Sequence, residues 1–276
     1  MIFSTGSKTF LVGEYSVLFG GSAIVLITPP NFLLTVKKSV ISRTERVNEC
    51  SPASVFYKDH DFENLHIDFQ DPHGGKGGFG ASSAQFALFY QLYLKQTNQK
   101  FNPHVMLQDY RKSCGKIHVS GADCFAQFFN HHIFFDSKTT RAEKINWNFS
   151  NLDFAIFKTN TKVATHLHLQ KLNRISDISD LENATIKVKE SLLAENEELF
   201  AKNVQVFFYI LQKKGLVIDR TSTMVEKLLK IDEVRAAKGC GALSADTIIV
   251  IFYRLYRNAV MEECKKLGLG ADLRED

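Results

Sequence analysis

The sequence is poor in proline, in tryptophan and in paired cysteines. Its 276 residues include 5 prolines and 1 tryptophan, and no two of the 5 cysteines form a C-x-x-C pair. An odd number of widely spaced cysteines argues against a disulfide framework and a structural zinc site, and it is typical of a reducing cytosol. We therefore expect a cytoplasmic protein.

Long apolar runs and a strong charge of one sign are also missing. The apolar stretch at residues 22–28 is too short to span a bilayer, so no membrane partner is predicted. The net charge is +4, without a cluster of Lys and Arg among aromatic residues, so nucleic acid is not a predicted partner either. What remains is an ordinary globular composition with 23 phenylalanines, enough for a sizeable core. A small-molecule substrate fits this composition, and the sequence does not determine the oligomeric state.

Strand and helix patterns are both present, which predicts an α+β fold. Short apolar or alternating runs predict strands near residues 9–12, 23–28, 32–37, 65–69, 132–135, 154–158 and 247–252. Helical periodicity is found near residues 82–96, 106–113, 180–213, 224–229 and 259–267. The pattern of predicted elements changes near residue 150, so we divide the chain into predicted domains 1–150 and 151–276.

A glycine-rich loop at residues 74–80 is the strongest chemical signal. Glycine allows a tight turn and a close approach of the backbone to a ligand. The helix predicted directly after the loop has unpaired N–H groups and a positive dipole at its start, a combination that binds phosphate. The alternative is a flexible linker followed by an ordinary serine cap, and the loop alone does not decide between the two.

Four segments, in order along the chain, resemble motifs of the GHMP kinase superfamily. They are T-G-S-K-T-F-L-V-G-E-Y at residues 5–15, G-F-G-A-S-S-A at 78–84, S-G-A-D at 120–123 and K-G-C-G-A-L-S-A-D-T at 238–247. The resemblance implies an ATP-dependent kinase that phosphorylates a small molecule. It also implies a two-part α+β GHMP kinase fold, with a ribosomal-protein-like N-terminal part and a ferredoxin-like C-terminal part.

The resemblance also implies roles for individual residues. Asp123 and Lys8 match the catalytic positions, and Ser82 matches the serine that approaches Mg²⁺. The ATP phosphates would be bound by Gly78, Gly80, Ala81, Ser82 and Ser83. The acceptor would contact Lys76, Glu14, Tyr15 and Gly241, although Glu14 and Tyr15 could instead be structural.

The sequence departs from the family pattern at several positions. Leu243, Ser244 and Ala245 stand where the closing motif has glycines, and a Cβ at each could crowd the phosphate site. Lys112 stands where some relatives place a metal-binding glutamate. These departures leave open a catalytically inactive relative that binds a nucleotide.

Two short motifs point to different acceptors. K-x-G-F-G at residues 76–80, with the other motifs, resembles the phosphomevalonate kinases, whereas T-N-T-K-V at 159–163 resembles the mevalonate kinases. We expect 5-phosphomevalonate as the acceptor and keep mevalonate as the alternative. His118, His166 and His168 are interpreted as ordinary loop or core histidines. His166 and His168 lie two residues apart, and neither has an obvious carboxylate or thiol companion in the sequence.

Overall fold

The computed structural model describes residues 1–60, 62–75, 77–159 and 177–274, and the chain forms two compact units. The first unit contains Met1–Thr9 and Val25–Lys144, and the second contains Phe10–Ile24 and Ile145–Asp276. The longer segment of the second unit begins at Ile145, close to the predicted boundary at residue 150. Its shorter segment, Phe10–Ile24, lies within the predicted first domain but belongs to the second unit.

The larger sheet has six strands among the described residues. They are β1 Ile2–Val12, β2 Ser22–Lys38, β3 Arg43–Glu45, β4 Leu65–Gln70, β5 Ile133–Asp136 and β6 Arg141–Lys144. Their order is β3-β4-β2-β5-β6, with β1 also paired to β2. β4 is antiparallel to β2 and parallel to β3.

The helices of the first unit are α1 Pro52–Asp59, α2 Ala81–Thr97, α3 Pro103–Cys114 and α4 Ala122–Phe129. Polar side chains cap α1 and α3, whereas α2 and α4 each begin after a glycine in the left-handed conformation. α2 packs against α1 and α4. The rings of Phe56, Phe86 and Tyr90 meet there, with centroids 5.1–5.9 Å apart, and form part of the buried core.

The second unit contains a smaller sheet of three strands, β7 Leu152–Lys158, β8 Val234–Cys240 and β9 Thr247–Tyr253. The described helices of this unit are α5 Ser179–Leu193, α6 Glu197–Lys213, α7 Asp219–Leu228 and α8 Arg257–Lys266. The sheet is antiparallel with the order β7-β9-β8, and its central strand, β9, is almost fully buried and carries the run T-I-I-V-I-F-Y. β8 packs against α6 and α7, and α6 also packs against α5.

The predicted α+β class is confirmed, with three differences in the elements. The strands predicted at residues 23–28 and 32–37 are one strand, β2, which accommodates Pro29 and Pro30 within its length. The periodic region 180–213 is two helices, because Glu195 adopts a φ of 53° and the Asn196 side chain caps α6. The short elements α1, α4, β3, β6 and β8 were not predicted. None of the helices in the described part of the chain is long and apolar enough to cross a membrane.

Candidate active site

The glycine-rich loop of the first unit ends at an uncapped helix. Gly74, Gly75, Gly78 and Gly80 all have positive φ, from 59° to 103°. Gly80 is the N-cap residue of α2, and the cap position supplies no side-chain hydrogen bond to the first turn of that helix. The start of α2 therefore offers backbone N–H groups to an anion. Lys76, a predicted acceptor contact, lies outside the described residues.

Gly80 provides a space that Lys8 occupies. A Cβ added at Gly80 would lie 2.5 Å from Cγ of Lys8 and 3.1 Å from Nε2 of Gln127. The amide of Lys8 also donates a hydrogen bond to the carbonyl of Phe79 at 3.0 Å. Any side chain at residue 80 would therefore displace Lys8 from the end of the loop.

Gln127 of α4 connects three segments of this site. The side chain is fully buried; its Oε1 accepts from the Ser83 hydroxyl at 2.6 Å, and its Nε2 donates to the Gly6 carbonyl at 3.1 Å. Ser83, a predicted phosphate contact, is thus committed to Gln127 and to the Gly80 carbonyl. Ser82 is exposed and makes no hydrogen bond to another described residue, so its hydroxyl is available to a ligand.

His73 connects the glycine-rich loop to β1. Its ring stacks on Phe79 with centroids 4.0 Å apart, and Nε2 lies 2.6 Å from the Ser7 hydroxyl. Ser7 donates its only hydroxyl proton to the carbonyl of Pro30 at 2.9 Å, so Nε2 of His73 must be the donor. Asp71 accepts hydrogen bonds from the backbone N–H groups of His73 and Gly75. These contacts fix the position of the loop.

Asp123 is the second residue of α4 and is half-buried. Its Oδ1 accepts a hydrogen bond from the Cys124 amide at 2.9 Å. Burial raises the pKa of the Cys114 thiol to about 11, and the negative charge of Asp123 contributes to that rise. The carboxylate therefore lies near Cys114. Because Gln127 follows one turn later, Asp123 shares a helix face with the residue that organises the loop.

A cavity of about 860 Å³ adjoins the loop within the first unit. Gly74, Gly75, Ala81 and Ser82 form its polar end. Gln85 of α2 also lines the cavity. The other walls come from the segments around β4 and α1 and from α3 with the residues after it: Arg46, Asn48, Cys50, Ser51, Pro52, Phe69, Asp71, Tyr110, Ser113, Cys114, Ile117 and Val119. Cys114 is among them, whereas Asp123 is not among the described residues that line the cavity. Its volume lies within the range of small-molecule and cofactor sites.

The described residues contain no cluster of three or more His, Cys, Asp or Glu side chains that could hold a metal ion. Lys112, at the position of a metal-binding glutamate in some relatives, pairs with Asp59 at 2.7 Å on the surface. His118 is exposed, and His166 and His168 lie outside the described residues. The Ser82 hydroxyl fits Mg²⁺ only together with phosphate oxygens and water, an arrangement that Mg²⁺ commonly adopts.

In the second unit, Glu14 forms a buried ion pair with Lys238. The two side chains are 2.9 Å apart, and their exposed fractions are 6% and 0%. Burial alone would lower the pKa of Lys238, but the neighbouring Cys240 and Glu14 outweigh burial and raise it. The other carboxylate oxygen of Glu14 is buried without a partner among the described residues. The ion pair with Lys238 therefore gives Glu14 a structural role, whether or not the second carboxylate oxygen of Glu14 also binds a ligand.

Replacing Lys238 with methionine should destabilise the protein strongly. Met keeps most of the volume but leaves the Glu14 carboxylate buried without its cation. Breaking a buried ion pair in this way costs about 3–5 kcal/mol in the free energy of unfolding. Urea unfolding of Lys238→Met measures the loss, with the exposed pair member Lys266→Met as a control that should show no measurable change. Equal stability of both variants would mean that the pair contributes little.

Two residues of the closing motif, Leu243 and Ser244, keep the left-handed backbone conformation that glycine would adopt, although they stand in place of the family's glycines. Leu243 and Ser244 have φ of 51° and 56°, in the left-handed region, and both side chains are buried. The Tyr15 hydroxyl accepts a hydrogen bond from the Leu243 amide at 2.9 Å, which fixes this turn. Gly241 has a φ of 86°, and a Cβ there would collide with the Asp246 carboxylate. Tyr15 and Gly241, two predicted acceptor contacts, thus shape the turn in the second unit.

Ser244→Gly should stabilise the protein by about 1 kcal/mol. The left-handed conformation costs a residue with a Cβ about 1–2 kcal/mol, and glycine is free of that cost. The Ser244 hydroxyl is also buried and has no hydrogen-bond partner among the described residues, a further penalty that glycine removes. The flexibility of glycine in the unfolded chain offsets about 0.5–1 kcal/mol of the gain. Urea unfolding tests the sign, and a destabilised variant would show that the turn is not strained.

Several site features had little signal in the sequence. Gln127 lies in a short helix that was not predicted, and nothing in the residues 122–129 marks it as the partner of Ser83. Lys238 and Glu14 lie in two matched motifs, yet only the fold brings them together. Gln85 directly follows the phosphate-loop motif and could have been noticed as a polar residue on the first turns of α2.

The comparisons with known proteins give matches among solved structures alone. No protein-family model matches the sequence, and no curated protein matches it significantly. Streptococcus pneumoniae phosphomevalonate kinase in complex with phosphomevalonate and AMPPNP is similar, with a TM-score of 0.80, 15% identity and 98% of each chain covered. Methanococcus jannaschii mevalonate kinase has a TM-score of 0.74 and 15% identity, with 98% of this chain and 96% of that chain covered.

A sugar kinase is also among the similar structures. Lactococcus lactis galactokinase complexed with galactose has a TM-score of 0.77 and 14% identity, with 97% of this chain and 90% of that chain covered. These likenesses extend over nearly the whole chain in each case, and the fold they share is the one that the four motifs imply. The chain has the GHMP kinase fold.

Proposed function

We propose that this protein is an ATP-dependent kinase that phosphorylates 5-phosphomevalonate. The observation that carries the proposal is the cavity that ends at the glycine loop and at the uncapped start of α2. Phosphates bind at such a helix start because the N–H groups and the helix dipole both favour an anion. A similar solved structure holds AMPPNP and phosphomevalonate, which agrees with both proposed substrates.

ATP would place its phosphates on Gly78, Gly80, Ala81 and the first turn of α2. Ser82 is the residue with a hydroxyl available for Mg²⁺, and the remaining ligands would be phosphate oxygens and water. Phosphoryl transfer depends mainly on positioning and on neutralising negative charge. Lys8, held across Gly80 at the end of the loop, is well placed to neutralise charge there.

Asp123 would act on the acceptor oxygen. If the acceptor is a hydroxyl, a carboxylate can take the proton as the bond to phosphorus forms. A phosphate monoester has its second pKa at about 6, so most of a phosphate acceptor is already deprotonated near neutral pH. With 5-phosphomevalonate there is therefore little proton for Asp123 to take. An ionised carboxylate only accepts hydrogen bonds, so Asp123 would orient this acceptor through its hydroxyl group and not through its phosphate oxygens.

The choice between the two acceptors rests on the motifs. K-x-G-F-G at residues 76–80 favours 5-phosphomevalonate, since Lys76 could contact the additional phosphate. T-N-T-K-V at residues 159–163 favours mevalonate, which remains the alternative acceptor. Residues 160–163, like Lys76, lie outside the described residues, so this choice is made on the sequence.

A coupled assay of ADP release tests the proposal. Purified protein with Mg-ATP is offered mevalonate, 5-phosphomevalonate, galactose and homoserine in parallel, with a no-acceptor blank. We expect the highest kcat/KM with 5-phosphomevalonate. Faster turnover of mevalonate would identify a mevalonate kinase, and turnover of neither would overturn the assignment to this pathway.

A catalytically inactive nucleotide-binding relative is the second candidate. The replacement of the closing glycines by Leu243, Ser244 and Ala245 motivates it. The left-handed backbone at Leu243 and Ser244 argues against it, since the turn keeps the conformation that glycine would allow. Mg-ATP binding without ADP release on any acceptor would favour this second candidate.

A further inference from the structure

Two polar side chains in the wall of the cavity have no hydrogen-bond partner among the residues that the structure describes. Gln85 and Ser113 are 7% and 8% exposed, and both line the cavity beside the glycine loop. Neither side chain makes a hydrogen bond to another residue in the described part of the chain. The Gln85 amide is not among the fully enclosed unpaired atoms, so it reaches the surface of the cavity.

The Gln85 amide is therefore open to the cavity and can form hydrogen bonds with a ligand there. Gln85 lies one turn after Ala81 and Ser82 on α2, so it faces the same side as the residues that would bind phosphate. A ligand with its phosphates at the start of α2 therefore extends past Gln85 into the cavity.

The other walls indicate what part of the ligand meets Gln85. The side chains of Phe69, Tyr110 and Ile117 present apolar surface to the same cavity. Apolar walls with a few polar groups suit a flat heteroaromatic ring whose faces are apolar and whose edge forms hydrogen bonds. A nucleobase has this character.

We propose that Gln85 recognises the adenine edge of the nucleotide and makes this protein select ATP over GTP. The inference rests on the proposed kinase function. Adenine presents the N6 amino donor beside the N7 acceptor, and a glutamine amide matches both with its carbonyl oxygen and its NH₂ group. Guanine presents two acceptors, O6 and N7, on that edge, so the same amide can satisfy only one of them.

Calorimetry with ATP, GTP and 7-deaza-ATP tests this assignment on the full chain. 7-Deaza-ATP keeps the amino group but lacks the N7 acceptor. A bidentate amide–adenine contact is worth about 1–3 kcal/mol, so wild type should bind ATP about 5- to 150-fold more tightly than GTP, and more tightly than 7-deaza-ATP. Gln85→Ala should bind ATP and 7-deaza-ATP equally.

Gln96→Ala is the matched control, because Gln96 is an exposed glutamine on the same helix. It should keep the wild-type preference for ATP. The comparison of ATP with 7-deaza-ATP on wild type needs no variant. It can therefore still overturn the role of Gln85 if Gln85→Ala fails to fold.

Each outcome bears on the inference. Equal binding of ATP and 7-deaza-ATP by wild type, or an unchanged preference in Gln85→Ala, overturns the role of Gln85 while ATP-dependent turnover keeps the kinase proposal intact. Absence of nucleotide binding by wild type overturns the proposed function itself.

Discussion

Asp123→Asn is expected to lower kcat by about 10²–10⁴-fold, the usual contribution of a positioned acid–base group. Asparagine keeps the shape and one hydrogen-bonding oxygen but removes the charge and the basicity. The lower end of this range is expected for a phosphate acceptor, which needs little proton abstraction, and the upper end for a hydroxyl. ATP affinity should change little, because Asp123 lies on α4 and not on the phosphate loop.

The matched control is Asp219→Asn. Asp219 is also an acidic residue in the first turn of a helix, but it is exposed on α7. Both substitutions weaken the interaction of a carboxylate with a helix dipole, so only a catalytic role separates them. Near-normal turnover of Asp123→Asn would make Asp123 a helix-stabilising residue and remove it from the chemistry.

Gly80→Val is expected to abolish Mg-ATP binding. Gly80 has a φ of 84°, which disfavours valine, and the added Cβ would lie 2.5 Å from Cγ of Lys8. Valine therefore fills the end of the loop and displaces Lys8 from it. Isothermal titration calorimetry with Mg-ATP gives the affinity, and thermal unfolding monitors whether the variant is folded.

Gly215→Val is the matched control. It separates the effect of backbone strain at a positive φ from the effect of filling the phosphate site. Gly215 also has a positive φ, 69°, but a Cβ there meets no atom within 4 Å. This control should share the backbone strain of Gly80→Val and keep wild-type ATP affinity. Tight ATP binding by folded Gly80→Val would show that the phosphates do not bind at this loop.

The sequence predicted the position of the loop better than it predicted the connections around it. The glycines and the helix at residues 82–96 are local features, and both were found where expected. Gln127 and His73 join segments that are 44 and 66 residues apart, and such contacts depend on the fold as a whole. A single sequence carries no local signal for them.

The closing motif shows a second limit of sequence reasoning. The loss of glycine at Leu243 and Ser244 predicted a crowded site, because a Cβ usually opposes a left-handed backbone. The structure keeps that backbone in spite of the Cβ atoms and directs both side chains into the protein. Buried packing and the Tyr15 hydrogen bond can compensate for local strain, and neither is visible from the motif.

Transfer of labelled phosphate to the acceptor tests the central proposal most directly. ATP carrying ¹⁸O on its γ-phosphate is incubated with the protein, Mg²⁺ and 5-phosphomevalonate, and the products are analysed by mass spectrometry. We expect the labelled phosphoryl group to appear in a diphosphate of mevalonate, and we expect Asp123→Asn to reduce this product strongly. Label found only in free inorganic phosphate, or no consumption of ATP with either mevalonate or 5-phosphomevalonate, would contradict it.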